Sequence, residues 1–180
     1  MRVAVTGTPG TGKTTATELL EERLSSTDDD SLPELETIHL NRVLEDEELY
    51  TDIDADRESK IADLDAIRQW LEGRDDVVID SHLAHHFEAD RVAVLRCRPD
   101  RLETRLRDRG ESDAKATENA ESEALDVILS EAVDEHGLES IYEIDTTDRD
   151  PEDVADALEA VVAGTREPSA GDVNFVGYLA

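Results

Sequence analysis

The sequence contains few of the residues that crosslink a chain or stack in its core. Among its 180 residues are one cysteine, five prolines, one tryptophan, three tyrosines and two phenylalanines. The lone Cys97 excludes an internal disulfide, so we expect it in the core of a protein from a reducing compartment. No apolar run approaches the roughly 20 residues of a membrane-spanning helix, and the first residues lack the pattern of a signal peptide. These absences predict a single cytoplasmic domain with no membrane attachment.

Basic residues are also scarce. The chain has 18 lysines and arginines against 47 aspartates and glutamates, a formal net charge of −29, and its only lysines are Lys13, Lys60 and Lys115. Molar salt shortens the screening length from about 10 Å to about 3 Å, so this composition predicts adaptation to a salt-rich cytosol. The alternative, an acidic surface for a partner, would concentrate the acid in one segment, whereas here it is spread along the chain. In either case, strong direct binding to nucleic acid phosphates is not expected.

Along the chain, short runs of apolar residues alternate with segments in which apolar residues recur at helical spacing. Apolar residues three and four apart indicate helices, and β-branched runs such as residues 77–79 indicate strands buried on both faces. The alternation predicts an α/β fold, with a central parallel five-stranded sheet and helices on both faces. Ligands are expected at the carboxyl ends of the strands. The predicted strands are 2–6, 36–40, 77–79, 92–95 and 140–144, and the predicted helices are 13–24, 61–72, 99–109, 117–135 and 151–162.

The strongest motif is the stretch GTPGTGKT at residues 7–14, between the first predicted strand and the first helix. It matches the P-loop pattern, in which backbone N–H groups and a helix N-terminus face phosphate oxygens. Lys13 adds a positive charge at the terminal phosphates, Thr14 is placed to ligate Mg²⁺, and Thr15 is a further phosphate contact. A plain glycine turn would need neither the lysine nor the threonine. The motif therefore predicts a P-loop NTPase fold that uses ATP and Mg²⁺ for phosphoryl transfer.

Two polar side chains follow the predicted strand at 77–79. Asp80 comes directly after the strand, so its carboxylate is expected beside the phosphates, holding Mg²⁺ through water; alternatively it only caps the next segment. His82 either orients the attacking water or acceptor hydroxyl, or is a hydrogen-bonded structural residue. His82 and His86 also have the i, i+4 spacing of a helical metal pair, but the sequence supplies no third zinc ligand or HExxH glutamate.

Three arginines alternate near the end of the helix predicted from residue 99. Arg105 and Arg109 share one helix face, whereas Arg107 points elsewhere. An arginine inserted toward a transferring phosphate is worth roughly 10³ to 10⁵ in rate, and Gly110 is a candidate hinge for such a movement. The alternative is that these arginines pair with the surrounding acidic residues.

Four blocks, taken in order, resemble one family over nearly the whole chain. They are residues 7–15, the Glu-Leu-Tyr segment at 48–50, the Ile-Asp-Ser-His segment at 79–82, and a stretch from Arg105 through Arg109, Gly110 and Lys115 to Asn119. The family that they resemble is adenylate kinase isoenzyme 6, the atypical adenylate kinases of archaea and eukaryotic nuclei. Together with the salt-adapted composition, the resemblance implies a member from a halophilic archaeon. The first block is shared by many kinases, so the specificity lies in the combination.

The resemblance implies a broad-specificity nucleoside monophosphate kinase that moves the terminal phosphate of ATP to AMP or a related nucleotide, with Mg²⁺ and a side ATPase activity. It also implies a role in late maturation of the small ribosomal subunit, near ribosomal RNA 3′-end processing. The implied partners there are a small-subunit ribosomal protein and the immature subunit. Catalytic roles would fall on Lys13, Asp80, His82 and Arg109, and the ATP contacts would be Gly10, Gly12, Lys13, Thr14, Thr15 and Arg109.

By the same resemblance, the kinase domain is expected at residues 1–163, with a monophosphate segment at about 39–62, a lid at about 108–118 and a tail at 164–180. The monophosphate segment departs from the family in charge, because residues 45–48 are all acidic and its only arginines are Arg42 and Arg57. Two other functions stay open: a ribosome-assembly ATPase whose kinase activity is incidental, and a P-loop kinase for a small metabolite such as a sugar or a shikimate-like acid. The Asp80-x-His82 match argues against the second.

Overall fold

A computed structural model describes residues 1–26, 32–54 and 59–179. Its strands are β1 Arg2–Thr6, β2 Glu36–His39, β3 Tyr50–Asp54, β4 Ser59–Ala62, β5 Val77–Asp80, β6 Arg91–Arg96 and β7 Ile141–Asp145. Five of them form one parallel sheet in the order β2-β5-β1-β6-β7, and β3 and β4 form a separate antiparallel hairpin. The predicted five-stranded parallel sheet is confirmed, whereas the hairpin has no counterpart among the predicted elements.

Helices cover both faces of the sheet, as predicted. Buried Val5 of the sheet clusters with residues of the first and last helices, such as Leu20 and Leu158. Ile79 clusters on the opposite face with residues such as Ile67. Successive strand residues point to opposite faces, so one continuous apolar run serves both layers. The helices are α1 Lys13–Leu24, α2 Leu40–Asp46, α3 Leu64–Leu71, α4 Pro99–Asp108, α5 Asp113–Ala124, α6 Val127–His136 and α7 Pro151–Ala163.

No helix in the described ranges is both long enough and apolar enough to cross a membrane. The predicted core position of Cys97 is confirmed, because the residue is fully buried. Burial raises the pKa of its thiol to about 11. Cys97 is therefore a packing residue with little thiolate at neutral pH.

The prediction of one helix over 117–135 is wrong. α5 ends at Ala124 and α6 begins at Val127, and between them Asp126 has a left-handed backbone with φ of +54°. Leu125, which the sequence pattern assigns to the apolar stripe, is 60% exposed. The carboxylate of Asp126 bonds the buried side chain of Arg96. This tertiary ion pair offsets the backbone strain, and local periodicity carries no signal for it.

The helix predicted at residues 61–72 begins later than residue 61. Ile61 lies in β4 and is 49% exposed. α3 starts at Leu64 because the Asp63 carboxylate accepts a hydrogen bond from the Ala66 N–H at 3.0 Å and so caps the first turn. Arg57, one of the two arginines of the expected monophosphate segment, lies outside the described residues, as do residues 27–31 of the loop before β2.

Residues 169–172, which follow α7, pack against β7, an edge strand of the sheet. The buried carboxylate of Glu143 in β7 accepts hydrogen bonds from the backbone N–H groups of Gly171 (2.6 Å) and Asp172 (2.8 Å). The Ser169 N–H donates to the Ile141 carbonyl oxygen at 2.9 Å. The first half of the expected tail is therefore held on the sheet by backbone hydrogen bonds.

Candidate nucleotide-binding site

The loop between β1 and α1 turns at glycines that a larger residue would not fit. Gly7 has φ of +141°, and a Cβ there would collide with the Leu95 carbonyl oxygen. Gly10 has φ of +93°, and its Cβ would press on Leu106 of α4 at 3.0 Å. Gly12, the residue before α1, offers no side-chain cap. The first N–H groups of α1 are therefore left for an anion.

Lys13 is the cation of this loop. Its Nζ donates to the carbonyl oxygens of Gly7 (2.7 Å) and Thr8 (3.1 Å), and it forms no ion pair within the described residues. Burial lowers the pKa of the amine to about 8, against the opposing effect of the Asp80 and Glu123 charges. Carbonyl oxygens are weaker partners than carboxylates, so a phosphate can replace them.

Asp80 ends β5 beside the loop and is 4% exposed. Its Oδ2 lies 2.9 Å from Nδ1 of His39, which ends β2 in register with it. The other carboxylate oxygen accepts no hydrogen bond from the described residues, and no N–H of the following segment is capped by Asp80. Sequence reasoning missed His39 as a partner. The signal was present, because neighbouring parallel strands end at the same edge of the sheet.

His82 shares a cavity with Lys13. Burial, and then the Lys13 charge, lower the pKa of its imidazole to about 4, so the ring is neutral at neutral pH. His82 and His86 do not share an α-helix, since residues Ala84–His86 form a 3-10 turn. It is His85 whose ring lies against that of His86, with 4.1 Å between centroids. Burial also lowers the pKa of His85.

Two of the three arginines at the end of α4 are engaged within the protein. Arg105 donates to the carbonyl oxygens of Thr146 (2.9 Å) and Thr147 (3.1 Å), so it ties α4 to the segment after β7. Arg107 pairs on the surface with two carboxylates, those of Glu103 and Asp113. For these two residues the alternative of internal pairing is the one that the geometry supports.

Arg109 differs from both. It directly follows α4 and precedes Gly110, which has φ of +89°. Its exposed side chain makes no hydrogen bond or ion pair in the part of the chain that the structure describes, whereas Lys115 of the expected lid pairs with Glu111 at 3.5 Å. In a chain with 47 acidic residues, this guanidinium is left to an anion from outside.

Two cavities meet at the loop. One has a volume of about 360 Å³ and is lined by residues that include Arg105 and Thr146. The other has a volume of about 300 Å³ and is lined by Lys13, Thr14, Asn41 and His82, among others. Both are lined by Gly10, Gly12, Thr15 and Arg109. Asp80 lines neither and is buried beside them. The two cavities can hold two groups on either side of one phosphate chain.

A buried ion cluster lies on the other side of the loop, and sequence reasoning missed it. Arg96 is 1% exposed and donates to Glu123 (2.7 Å), Glu143 (2.5 Å) and Asp126. We call these four residues the Arg96 cluster. Glu123, on α5, also accepts the Thr8 hydroxyl at 2.5 Å. The cluster therefore connects the phosphate loop to the helix that carries part of the expected lid. In the sequence, Glu123 is one acid among many in its helix.

The sheet order, the glycine-rich loop and the lysine at the start of α1 define a P-loop kinase fold. Two solved structures share it. A shikimate kinase from Bacteroides thetaiotaomicron has a TM-score of 0.55 at 19% identity and covers 89% of this chain and 97% of its own. A gluconokinase from Sinorhizobium meliloti has a TM-score of 0.53 at 16% identity and covers 91% and 92%. At such identities the likeness shows the fold alone.

Sequence comparisons show the family. The AAA domain family matches residues 3–126. A Natronomonas pharaonis protein is 59% identical over 179 residues, and a Halobacterium salinarum protein is 56% identical over 180 residues; each match covers 99% of this chain and all of the relative. A Methanosarcina barkeri protein is 39% identical over 168 residues, covering 90% and 86%. All three carry a provisional adenylate kinase name. The chain belongs to this archaeal family within the AAA domain family, which confirms the family resemblance.

Proposed function

We propose that the protein is a broad-specificity nucleoside monophosphate kinase, which transfers the terminal phosphate of ATP to AMP or another monophosphate and also hydrolyses ATP. The observation that carries the proposal is the unpaired Arg109 guanidinium, which lines both cavities beside the Lys13 loop. A cation common to two cavities suits transfer between two bound nucleotides, because the phosphoryl group passes from one to the other. The adenylate kinase name of the relatives supports AMP as an acceptor.

ATP fits the larger cavity and the loop. Its base would lie in the cavity lined by Arg105 and Thr146, and its phosphates would face the N–H groups at the start of α1, with Gly10, Gly12 and Thr15 alongside. Lys13 would exchange its two carbonyl partners for phosphate oxygens. Phosphate charge would then raise the pKa of the amine above about 8 and keep it protonated.

The oxygen donors beside the loop fit Mg²⁺. The Thr14 hydroxyl is exposed at the start of α1, and Asp80 has one oxygen fixed by His39 and one without a described partner. Mg²⁺ prefers oxygen ligands and retains water, so Thr14 would bind it directly and Asp80 through water. When bound, the ion would neutralise charge on the transferring phosphoryl group. His39 would act as a positioning residue for Asp80.

On the acceptor side, Lys13, Arg109 and His82 would surround the incoming phosphate or water. His82 is neutral at neutral pH, so it would orient an acceptor by hydrogen bonding without adding charge. Arg42 adds little here, because it is 65% exposed and pairs with Glu18 at 2.8 Å. With so few fixed cations for one particular monophosphate among the described residues, broad acceptor specificity is the expected result.

A panel of acceptors with labelled ATP at molar salt tests the kinase proposal. We expect labelled phosphate on AMP and on at least one other nucleoside monophosphate, and no transfer without Mg²⁺. Shikimate and gluconate belong in the panel because of the fold neighbours. Intact hydrolysis with no transfer to any monophosphate would overturn the kinase assignment. Transfer to shikimate or gluconate alone would establish the metabolite kinase in its place.

A second candidate is an ATPase that serves late maturation of the small ribosomal subunit. The shortage of free arginines in the described part of the monophosphate segment favours hydrolysis over transfer, and a net charge of −29 suits a basic ribosomal protein as partner. A small-subunit ribosomal protein should then stimulate hydrolysis in the absence of AMP. A hydrolysis rate that does not respond to such proteins or to immature subunits would exclude this role.

A further inference from the structure

A second group of ligand atoms lies near the end of β1, outside the two cavities. His85 and His86 of the 3-10 turn and Glu131 of α6 each offer one nitrogen or oxygen atom, and these three atoms lie within 4.8 Å of one another. None of the three residues lines either cavity at the phosphate loop. We propose that this group, which we call the His-His-Glu site, binds one divalent transition metal ion, with Zn²⁺ as the best match.

The hydrogen bonds around His85 are compatible with a metal ion at Nε2. The Thr6 hydroxyl donates to the His82 carbonyl oxygen at 3.3 Å and lies 2.8 Å from His85 Nδ1. The ring proton of His85 has two possible positions. On Nε2 it bonds the Glu131 carboxylate 3.0 Å away, and on Nδ1 it bonds Thr6 and leaves the Nε2 lone pair facing Glu131. With the proton on Nδ1, a metal ion can lie between Nε2 and the carboxylate.

Metal-binding histidines have this arrangement, in which an oxygen fixes the ring N–H that does not face the ion. Without metal, the proton can move to Nε2 of His85 and bond Glu131, while the Thr6 hydroxyl turns to Nδ1. When a metal ion binds at Nε2, the proton moves from Nε2 back to Nδ1. The carboxylate and two imidazoles then face the ion.

His86 and Glu131 complete the donor set. The His86 ring nitrogens make no hydrogen bond within the described residues, so a lone pair is free for an ion. The Glu131 side chain is 47% exposed, which leaves a route from solvent and a position for water. Two imidazoles, a carboxylate and an open position form a common zinc donor set, whereas Mg²⁺ prefers oxygen alone.

A bound ion would join the segment after β5 to α6. That segment directly follows Asp80 and carries His82, so the ion would hold the base of the nucleotide site against a helix on the other side of the 3-10 turn. The proposal does not depend on the proposed kinase activity, because its three donors lie outside the nucleotide cavities.

Titration of the full-length protein with Co²⁺ tests the His-His-Glu site, because Co²⁺ bound by imidazole nitrogen absorbs visible light. Molar KCl and excess Mg²⁺ would occupy the all-oxygen sites of the acidic surface. We expect saturation at one equivalent of Co²⁺, displacement by Zn²⁺, and a higher thermal midpoint with Zn²⁺. Glu131→Gln and His86→Asn should each weaken Co²⁺ binding by at least about 100-fold. Changing a residue that only orients a metal ligand costs at most about that much, so a larger loss marks a direct ligand.

Glu135→Gln is the matched control. Glu135 is exposed one turn further along α6, and its replacement removes the same charge without removing a proposed ligand. Its affinity for Co²⁺ should stay within about two-fold of the wild type. The proposal is overturned if the wild type shows no saturable visible absorption, if excess Mg²⁺ abolishes it, or if Glu135→Gln weakens binding as much as Glu131→Gln.

Discussion

Two sets of cations flank the phosphate loop, and their surroundings are opposite. In the Arg96 cluster, one buried guanidinium has three carboxylate partners. In the nucleotide cavities, the hydrogen bonds of Lys13 to described residues go to carbonyl oxygens alone, and Arg109 has no described side-chain partner. Both sets belong to one acid-rich chain, so composition does not explain the difference. A buried charge needs its partners in the folded protein, whereas a cation that binds a ligand must be left without them.

Arg109→Ala is expected to have the largest effect. The rate of phosphoryl transfer should fall by roughly 10³- to 10⁵-fold, the range for a lost arginine at a transferring phosphate. The free energy of unfolding should change by less than about 0.5 kcal/mol, because the side chain has no described partner. Kinetics with labelled ATP and chemical denaturation, both at molar salt, measure the two quantities.

Arg107→Ala is the matched control for Arg109. The residue lies two positions earlier, and its partners are the surface carboxylates of Glu103 and Asp113. Its replacement should leave the transfer rate within about two-fold and cost at most about 1 kcal/mol of stability. Equal rate losses in the two variants would remove the distinction between paired and unpaired arginines.

Arg96→Leu should give the next largest effect, on stability. Glu123 and Glu143 would be left buried without their counter-charge, which should lower the free energy of unfolding by about 3–5 kcal/mol. Denaturant unfolding at molar salt measures the loss. Adding Glu123→Leu to this variant should recover part of it, because one uncompensated carboxylate is removed. If Arg96→Leu alone is as stable as the wild type, the Arg96 cluster does not stabilise the loop.

His82→Asn tests the electrostatics of the cavity. The imidazole pKa is about 4 in the folded protein against an ordinary 6.5, so the unfolded chain binds more protons between these values. The residue's contribution to stability is complete above pH 6.5 and is lost as the pH falls toward 4. At about 1.4 kcal/mol per pH unit, the wild type should lose about 3 kcal/mol more than the variant between pH 7 and pH 4. Parallel stability curves for the two proteins would contradict the lowered pKa.

A change in salt concentration should give the smallest difference between the Arg96 cluster and the rest of the protein. Dialysis from molar to dilute salt should lower the thermal midpoint of the wild type, because exposed carboxylates repel each other when screening weakens. The stability difference between wild type and Arg96→Leu should change by less than about 0.5 kcal/mol, since buried pairs are screened far less than exposed ones. An unchanged wild-type midpoint would contradict salt adaptation.

Local patterns predicted the regular parts of the molecule well. The apolar run at residues 77–79 became β5, and proline at position 99 starts α4 as expected. The prediction failed where a distant partner overrides local preference. Asp126 interrupts a helical pattern because it bonds Arg96, 30 positions away. The late start of α3 has a local cause, because Asp63 caps the helix at Leu64 and Ile61 belongs to β4. Periodicity describes the faces of an element and contains no information on its distant contacts.

By itself, the sequence determined the chemistry at the phosphate loop. The order of glycines, Lys13 and Thr14 is a local pattern, and local backbone geometry is enough to form an anion-binding turn. The tertiary structure alone decided which charges are available to a ligand. Arg105, Arg107 and Arg109 look alike in the chain, but only the folded protein engages the first two and leaves the third at the cavities. The same holds for the acids, because Glu123 and Asp80 acquire their roles from strands and helices that meet only on folding.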